Sequence, residues 1–175
     1  MKKELATFAG GCFWCMEPPF KQLAGVESVT AGFIGGVVDN PTYEQVASCG
    51  TGHYEAIQIQ FQPELCSYQT LLELYWRQID PTDEDGQFAD RGWPYRTVIF
   101  YHNEEQRLVA EKSKQALQDS GIFDKPIATD IQPATTFFPA DDKHQNYHEK
   151  NPAFYCEYRQ ESGRDAFLNK VWKDK

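Results

Sequence analysis

Two cysteines near the start of the chain have the type and spacing that thiol chemistry requires. Cys12 and Cys15 belong to the segment Gly10-Gly11-Cys12-Phe13-Trp14-Cys15, which follows a predicted short strand. The two glycines permit a tight turn and a close backbone approach. A thiol at the start of the following helix faces unpaired N–H groups, which stabilise the thiolate and lower its pKa. We therefore predict that Cys12 is a nucleophile with a lowered pKa.

Two features qualify this prediction. Pro18 and Pro19 lack an N–H and clash one turn back, so we expect the helix after Cys12 to be one short turn or to restart at Pro18. Cys12 and Cys15 also form a C-x-x-C pair, the pattern of thioredoxin-like dithiols. Residues three apart on a helix share a face, so a disulfide between them is sterically reasonable. A general thiol-disulfide oxidoreductase stays open as an alternative function.

The other candidate ligands do not form a recognisable metal site. The remaining cysteines, at 49, 66 and 156, contain no second C-x-x-C pair, and the odd total of five argues against a structural disulfide framework. His144 and His148 have i, i+4 spacing but lack the glutamate of H-E-x-x-H, and we expect a surface pair on a polar helix. We predict no metal and no organic cofactor.

Composition and charge exclude several classes of partner. The formal net charge is -9 and no cluster of Lys or Arg is present, so neither nucleic acid nor an anionic membrane is an expected partner. No apolar run approaches the roughly 20 residues of a spanning helix, and the first ten residues lack the apolar part of a signal peptide. We expect a cytoplasmic protein.

Strands and helices alternate along the chain, which favours a mixed α/β domain with helices packed on one sheet. Four strands are predicted, at 5–9, 26–34, 54–61 and 97–101, with a possible fifth at 128–131. Helices are predicted after the caps Ser67 and Asn103. We expect a single catalytic domain over residues 1–175, with a core of about 5–156 and an irregular C-terminal extension over 157–175.

One carboxyl group has a position that suits acid catalysis. Along the strand Tyr54–Phe61, Glu55 has the same parity as Ile57, Ile59 and Phe61, so its side chain points toward the apolar face. Desolvation there raises a carboxyl pKa and keeps the group protonated near neutral pH. Glu55 is therefore a candidate proton donor.

An ordered set of motifs resembles the peptide methionine sulfoxide reductase A family. The motifs cover about residues 5–156: Gly11-Cys12-Phe13-Trp14, Asn40-Pro41-Thr42-Tyr43, Gly52-His53-Tyr54-Glu55, Asp90-Arg91-Gly92 with Tyr95, Asp141-Asp142 with His144-Gln145, and Asn151-Pro152 with Tyr155. The resemblance implies a two-layer α/β plait, a mixed sheet covered by helices. It also implies reduction of methionine S-sulfoxide, free or in proteins, as repair of oxidative damage.

The resemblance assigns a role to each candidate residue. Cys12 attacks the sulfoxide sulfur, and Glu55 protonates or hydrogen bonds to the sulfoxide oxygen. Tyr43 and Tyr95 point their hydroxyls at that oxygen, and Asp90 orders the network. Phe13 and Trp14 form the apolar wall around the S-methyl group. The resulting sulfenic acid condenses with a second thiol, and thioredoxin or a similar dithiol reduces the disulfide.

Three departures from the family pattern bear mostly on recycling. Trp93-Pro94 precedes Tyr95 where Thr-Gln or Ser-Gln is frequent, Cys15 stands where many members have Gly, and residues 159–165 replace a glycine-rich cysteine tail. We predict that Cys156 is the resolving cysteine, in a polar tail mobile enough to reach Cys12, with Cys15 as the alternative. A non-enzymatic peptide-binding module with an aromatic groove is a further alternative.

Overall fold

The computed structural model describes residues 2–173 and is built on one mixed sheet. In chain order the strands are β1 (Glu4–Gly10), β2 (Val26–Ile34), β3 (Tyr54–Phe61), β4 (Gly86–Gln87), β5 (Asp90–Arg91), β6 (Thr97–Tyr101), β7 (Asp130–Pro133) and β8 (Phe138–Pro139). Six of them form the sheet in the order β7-β6-β1-β3-β2-β8, and β4 and β5 form a separate hairpin. β6 and β7 are parallel, and the other pairs are antiparallel.

Helices fill the connections between these strands. They are α1 (Phe13–Lys21), α2 (Tyr43–Ala47), α3 (Tyr68–Trp76), α4 (Glu104–Asp119), α5 (Tyr147–Lys150), α6 (Pro152–Ser162) and α7 (Arg164–Trp172). The predicted caps are confirmed: the Ser67 side chain accepts from the Thr70 N–H, and the Asn103 side chain accepts from the Gln106 N–H. These bonds satisfy backbone donors that a helix leaves free in its first turn.

The main core lies between one face of the sheet and helices α1, α3 and α4. Phe20, Leu71 and Ala110 from these helices belong to the same buried cluster as Phe8 and Ile59 of the sheet. A smaller cluster, formed in part by residues of β1 and β6, lies on the opposite face of the sheet. Burying a large apolar side chain contributes about 1.5–3 kcal/mol, so the larger cluster is the main source of stability. The predicted α/β architecture is confirmed.

The helix that follows Cys12 differs from the prediction, because α1 continues through Pro18 and Pro19 for nine residues. The prolines remove the N–H groups that would bond the carbonyls of Trp14 and Cys15 one turn earlier. Arg159 replaces one of these donors, since its Nη1 donates to the Cys15 carbonyl oxygen at 3.3 Å. A side chain from α6 therefore compensates for a bond that the sequence of α1 cannot make.

The C-terminal segment is helical, so the predicted irregular extension is wrong. The expected core boundary near 156 falls inside α6, and Gly163, in the left-handed conformation with φ 85°, separates α6 from α7. These helices bury few side chains, chiefly Tyr155 and Arg164, and so lack the apolar periodicity that reveals a helix in a sequence. No helix among residues 2–173 is long and apolar enough to span a membrane.

Candidate active site

Cys12 lies at the junction between β1 and α1, as the sequence predicts. It is the N-cap residue of α1, and Gly11 before it has φ +87°, a conformation that favours glycine. A Cβ atom on Gly11 would also lie 2.6 Å from the Cβ of Gln87. The turn that presents Cys12 therefore requires glycine for both its conformation and its close contact with β4.

Cys12 and Cys15, which we call the thiol pair, lie together in one buried cluster, and each changes the pKa of the other. Burial raises the pKa of Cys12 well above its usual value, and the neighbouring Cys15 and nearby carboxyl groups act in the same direction. The neighbouring Cys12 thiol lowers the pKa of Cys15 to about 6, and two arginines act in the same direction. The pair thus loses one proton readily and holds the second.

The predicted lowering of the Cys12 pKa is therefore wrong for this thiol taken alone. Cys12 is only 5% exposed, and its side chain makes no capping bond to the first turn of α1. The loss of water outweighs the dipole of a short helix that two prolines interrupt. The lowered pKa that we expected at Cys12 is found instead at Cys15, which lies on the same helix one turn farther along.

Glu55 lies where the strand alternation places it, on the apolar face of β3. It is 1% exposed and stands opposite Phe33 of β2 in the sheet register. Burial raises the pKa of Glu55 to about 8, although a hydrogen bond from the Phe13 N–H, 3.2 Å from Oε1, opposes the shift. The carboxyl group is therefore largely protonated at neutral pH.

The two candidate tyrosines lie on either side of this acid. Tyr95 interacts with both Glu55 and Tyr43, so residues from three separate segments meet at this point. Burial raises the pKa of both phenols, and the charge of Glu55 adds to the effect. Both hydroxyl groups therefore keep their protons over the physiological pH range. Asp90, which is close enough to raise the pKa of Glu55, accepts a hydrogen bond from Tyr158.

Trp93 and Pro94, where this chain departs from the family pattern, help to hold Tyr95 in place. Residues Trp93–Tyr95 form a 3₁₀ turn, and the Trp93 indole N–H donates to the Gly52 carbonyl oxygen at 2.8 Å. The same indole packs against Tyr54, with 5.2 Å between ring centroids. The turn is thereby tied to the start of β3, beside Glu55.

Tyr43 occupies the first position of α2, a helix that our sequence analysis did not predict. Thr42 and Gln45 form a capping box: the Gln45 N–H donates to Thr42 Oγ1 at 3.1 Å, and the Thr42 N–H donates to Gln45 Oε1 at 2.8 Å. Thr-x-x-Gln is a recognised start signal, and it was present in the sequence. It sets the direction in which Tyr43 enters the site.

Five rings form an aromatic wall beside the thiol pair: Phe13, Trp14, Tyr43, His144 and Tyr147. Trp14 stacks on Tyr147 with 3.9 Å between centroids, and Tyr43 stacks on His144 with 4.4 Å. Phe13 packs against His144 at 5.6 Å. The predicted wall of Phe13 and Trp14 thus has three further members, one of which ends the turn at residues 142–144 and one of which follows it.

His144 does not belong to a surface pair with His148. It ends the 3₁₀ turn Asp142–His144 and is buried, whereas His148 lies on the separate helix α5. Its Nδ1 accepts from the Trp14 indole N–H at 3.2 Å, which assigns the ring proton to Nε2, and Nε2 has no hydrogen-bond partner within the described part of the chain. Burial lowers the pKa of His144, so the ring is neutral near pH 7.

Gln145 and Glu17 anchor this turn, and the sequence analysis gave neither a role. The Gln145 amide accepts from the Ala31 N–H at 2.8 Å and donates to the Ala31 carbonyl at 2.8 Å, as a neighbouring strand would. The buried Glu17 carboxylate accepts from the Asn146 N–H with both oxygens at 3.0 Å. Only the folded chain brings these partners together, since they lie more than 100 residues apart.

The other candidate resolving thiol, Cys156, lies apart from the thiol pair. Tyr155 is buried against Cys12 and Cys15, but Cys156 is exposed on α6. Successive residues on a helix point about 100° apart, which explains the difference between these neighbours. The same helix directs Tyr158 toward Asp90 and Arg159 toward the Cys15 carbonyl. The structure therefore brings together every predicted site residue except Cys156.

Comparison with known proteins agrees with this geometry. A family model described as peptide methionine sulfoxide reductase matches residues 4–175. The chain is 56% identical over 174 residues to peptide methionine sulfoxide reductase MsrA of Bacillus velezensis, covering 99% of this chain and 98% of the relative.

Solved structures show the same architecture. Mxr1 from Saccharomyces cerevisiae in reduced form superposes with a TM-score of 0.81 at 28% identity, covering 86% of this chain and 87% of that chain. Mxr1 in complex with Trx2 gives 0.59 at 22% identity, covering 83% and 85%, a likeness of fold alone. As the ordered motifs predict, the chain belongs to the peptide methionine sulfoxide reductase family.

Proposed function

We propose that this chain reduces methionine S-sulfoxide, free or in peptides, to methionine, with Cys12 as the nucleophile. One observation carries the proposal: a carboxyl group that is protonated near neutral pH, Glu55, lies beside a thiol pair that readily loses one proton. A sulfoxide oxygen is a poor leaving group until it is protonated, so the reaction needs both functions in one site.

The first step transfers oxygen from the substrate to Cys12. The Cys12 proton passes to Cys15, and the Cys12 thiolate attacks the sulfoxide sulfur, so that a transient bond forms between the two sulfurs. Glu55 gives its proton to the sulfoxide oxygen, which moves to Cys12 as a hydroxyl while the S–O bond of the substrate and the transient bond between the sulfurs break. Methionine leaves, Cys12 becomes a sulfenic acid, and Glu55 becomes a carboxylate.

The phenols and the aromatic wall hold the substrate for this step. Tyr43 and Tyr95 donate hydrogen bonds to the sulfoxide oxygen, and Asp90, fixed by Tyr158, orders the acid side of the site. Phe13 and Trp14 surround the S-methyl group, which gains from apolar contact and from the favourable approach of sulfur to aromatic rings.

Cys15 is the resolving cysteine in this proposal, in place of Cys156. Its thiol already contacts Cys12, whereas Cys156 is exposed on α6 and lies outside the buried cluster around the pair. The Cys15 sulfur attacks the sulfenic sulfur of Cys12, a disulfide forms, and the hydroxyl leaves as water with the proton that Cys15 received. Disulfides tolerate little misalignment, which favours the thiol already in place.

A dithiol such as thioredoxin then reduces the Cys12–Cys15 disulfide by exchange. Yeast Mxr1 has been solved in complex with Trx2, which supports a partner of this kind. We further propose a cytoplasmic location and a role in repair of oxidised methionine during oxidative stress. The C-x-x-C exchange function is less favoured, because it leaves the buried acid and the two phenols without a purpose.

Methionine formation from a sulfoxide-containing peptide with dithiothreitol tests the proposal. We expect turnover by the wild type, consumption of the S epimer, and loss of activity in Cys12→Ser, since a hydroxyl near neutral pH is a far weaker nucleophile. Cys49→Ser, which changes an exposed thiol, is the matched control and should retain full activity. Circular dichroism checks the fold of each variant.

Absence of methionine with the wild type would contradict the proposal, as would more than a few per cent of activity in a folded Cys12→Ser protein. Reduction of insulin disulfides in place of the sulfoxide would identify the exchange enzyme instead. A peptide-binding module would give neither reaction.

A further inference from the structure

Arg164, in the first turn of α7, is a buried cation. Its side chain is 1% exposed, and its guanidinium lies 4.8 Å from the centre of the Phe88 ring. It makes no ion pair with a carboxylate among residues 2–173. Arginine stays charged even when buried, and an uncompensated buried charge is costly. Two groups that can carry negative charge lie within its field, Asp90 and Cys15, and it acts to lower the pKa of both.

The hydrogen-bond partners of the guanidinium place it next to the segment that carries the thiol pair. Nη2 donates to the carbonyl of Gly10, two residues before Cys12, at 3.3 Å. Nη1 lies 3.8 Å from the sulfur of Met16, which follows Cys15, and donates to the carbonyl of Gln78 at 2.7 Å. The contacts thus lie on both sides of the turn that carries the two thiols.

The groups around Cys15 have opposite effects on a thiolate there. Burial and the charge of Asp90 disfavour it, whereas the neighbouring Cys12 thiol favours it. The favourable charges are the two arginines of α6 and α7.

The two arginines are not equivalent. Arg159 is already paired with Asp165, Nε to Oδ1 at 2.8 Å, so part of its field is neutralised. Of the charged groups around Cys15, Arg164 lowers its pKa most and Arg159 next. The Cys12 thiol acts in the same direction, and burial opposes them. The unpaired cation is therefore the stronger of the two.

We propose that Arg164 is a positioning residue for disulfide formation, with its guanidinium as the counter-charge that holds Cys15 as a thiolate beside Cys12. The inference rests on the proposed function, since it concerns the resolving step. In that step the Cys15 sulfur attacks Cys12, the S–S bond forms and the S–O bond breaks. Cys15 is oxidised and the sulfenic sulfur of Cys12 is reduced; as Cys15 becomes the attacking thiolate, the proton that it received from Cys12 passes to the hydroxyl, which leaves as water.

The test is a titration of Cys15 by ultraviolet thiolate absorbance. The difference between Cys12→Ser and Cys12→Ser/Cys15→Ser isolates this thiol from the other three. Adding Arg164→Gln should raise the Cys15 midpoint by about one pH unit or more, since a nearby opposite charge shifts a pKa by about one to three units. Arg164→Lys keeps the charge and should restore most of the shift.

A matched control separates charge from packing. Arg77 lies over the ring of Trp172, at the other end of α7, at 4.4 Å. Arg77→Gln therefore disturbs the packing of α7 without removing charge from the thiol pair, and the Cys15 midpoint should not move. An equal shift in this variant would overturn the inference, because the effect would then come from α7 packing.

A second neutral variant covers the case in which Arg164→Gln does not fold. Citrulline at position 164 keeps the shape of arginine without its charge, and a synthetic 156–175 segment joined at Cys156 would introduce it into the full chain. An unchanged Cys15 midpoint in a folded neutral variant would overturn the inference. Failure of the wild type to form methionine would instead overturn the proposed function, and that assay does not depend on the titration.

Discussion

The two sides of the thiol pair are lined by ionisable groups of opposite kinds: protonated acids on one side and positively charged arginines on the other. On the sheet side lie Glu55, Tyr43 and Tyr95, acids whose pKa values burial raises, so that all three hold protons near neutral pH. On the side of the C-terminal helices lie Arg159 and Arg164, which carry permanent positive charge.

The difference shows how one buried site serves two needs. Desolvation alone raises the pKa of an acid and of a thiol alike, so it supplies a proton donor but works against a thiolate. A positive charge that burial does not remove favours the thiolate, and arginine provides it because its guanidinium stays protonated at physiological pH. We infer that the sheet side favours proton donation and the helical side favours the thiolate.

The largest expected effect concerns the helical side. Cys15→Ser should lower thioredoxin-driven turnover by roughly a hundredfold or more, because recycling by exchange needs a disulfide that this variant cannot form. Cys156→Ser, the matched control, should recycle normally. Mass spectrometry of the wild type after one equivalent of substrate should find a Cys12–Cys15 bond. A Cys12–Cys156 bond, together with normal recycling by Cys15→Ser, would contradict the assignment.

On the sheet side, Glu55→Gln should slow methionine release by roughly a hundredfold, the usual scale for loss of a general acid. A single-turnover experiment without recycling reductant isolates this step. Glu27→Gln, which changes a surface carboxyl on β2, is the control and should have the wild-type rate. An unchanged rate in Glu55→Gln would remove the acid from the mechanism.

Glu55 should also make stability depend on pH. Its pKa rises from 4.5 to about 8 on folding, so between these values the folded chain holds a proton that the unfolded chain has lost. The free energy of unfolding should then fall as pH rises, by about 1.4 kcal/mol per unit from this residue, and level off above the folded pKa.

Urea unfolding of the wild type and Glu55→Gln at a series of pH values measures this slope. The variant lacks the ionisable group, so its stability relative to the wild type should increase with pH over that window. Parallel curves for the two proteins would mean that Glu55 has an ordinary pKa in the folded state, and the contrast between the two sides would lose its basis.

The smallest expected effect concerns Tyr95. Tyr95→Phe removes one hydrogen-bond donor to the sulfoxide oxygen and to Glu55, and we expect single-turnover rates about tenfold lower, as for the loss of roughly 1.4 kcal/mol of stabilisation. Tyr101→Phe, at the end of β6, is the control. A wild-type rate in Tyr95→Phe would limit the phenol to a structural role.

Much of the fold could be predicted because the determining signals are local. The strands at 26–34, 54–61 and 97–101 have the expected bounds, since alternating or continuous apolar runs and their flanking turns lie within each segment. The parity of Glu55 needed only the four alternate residues of one strand. The motif order that indicates the family is likewise written along the chain.

By itself, then, the sequence determined the sheet strands, the turn that carries Cys12 and the buried position of Glu55. Tertiary structure decided which thiol of the pair takes the first negative charge, because that balance sums burial and charges from β3, β5, α6 and α7. It also decided the continuation of α1 through two prolines, where Arg159 supplies one of the missing donors. The role of α7 was hidden for the same reason: one buried arginine on a polar helix produces no periodic pattern, and its partners lie far away in sequence.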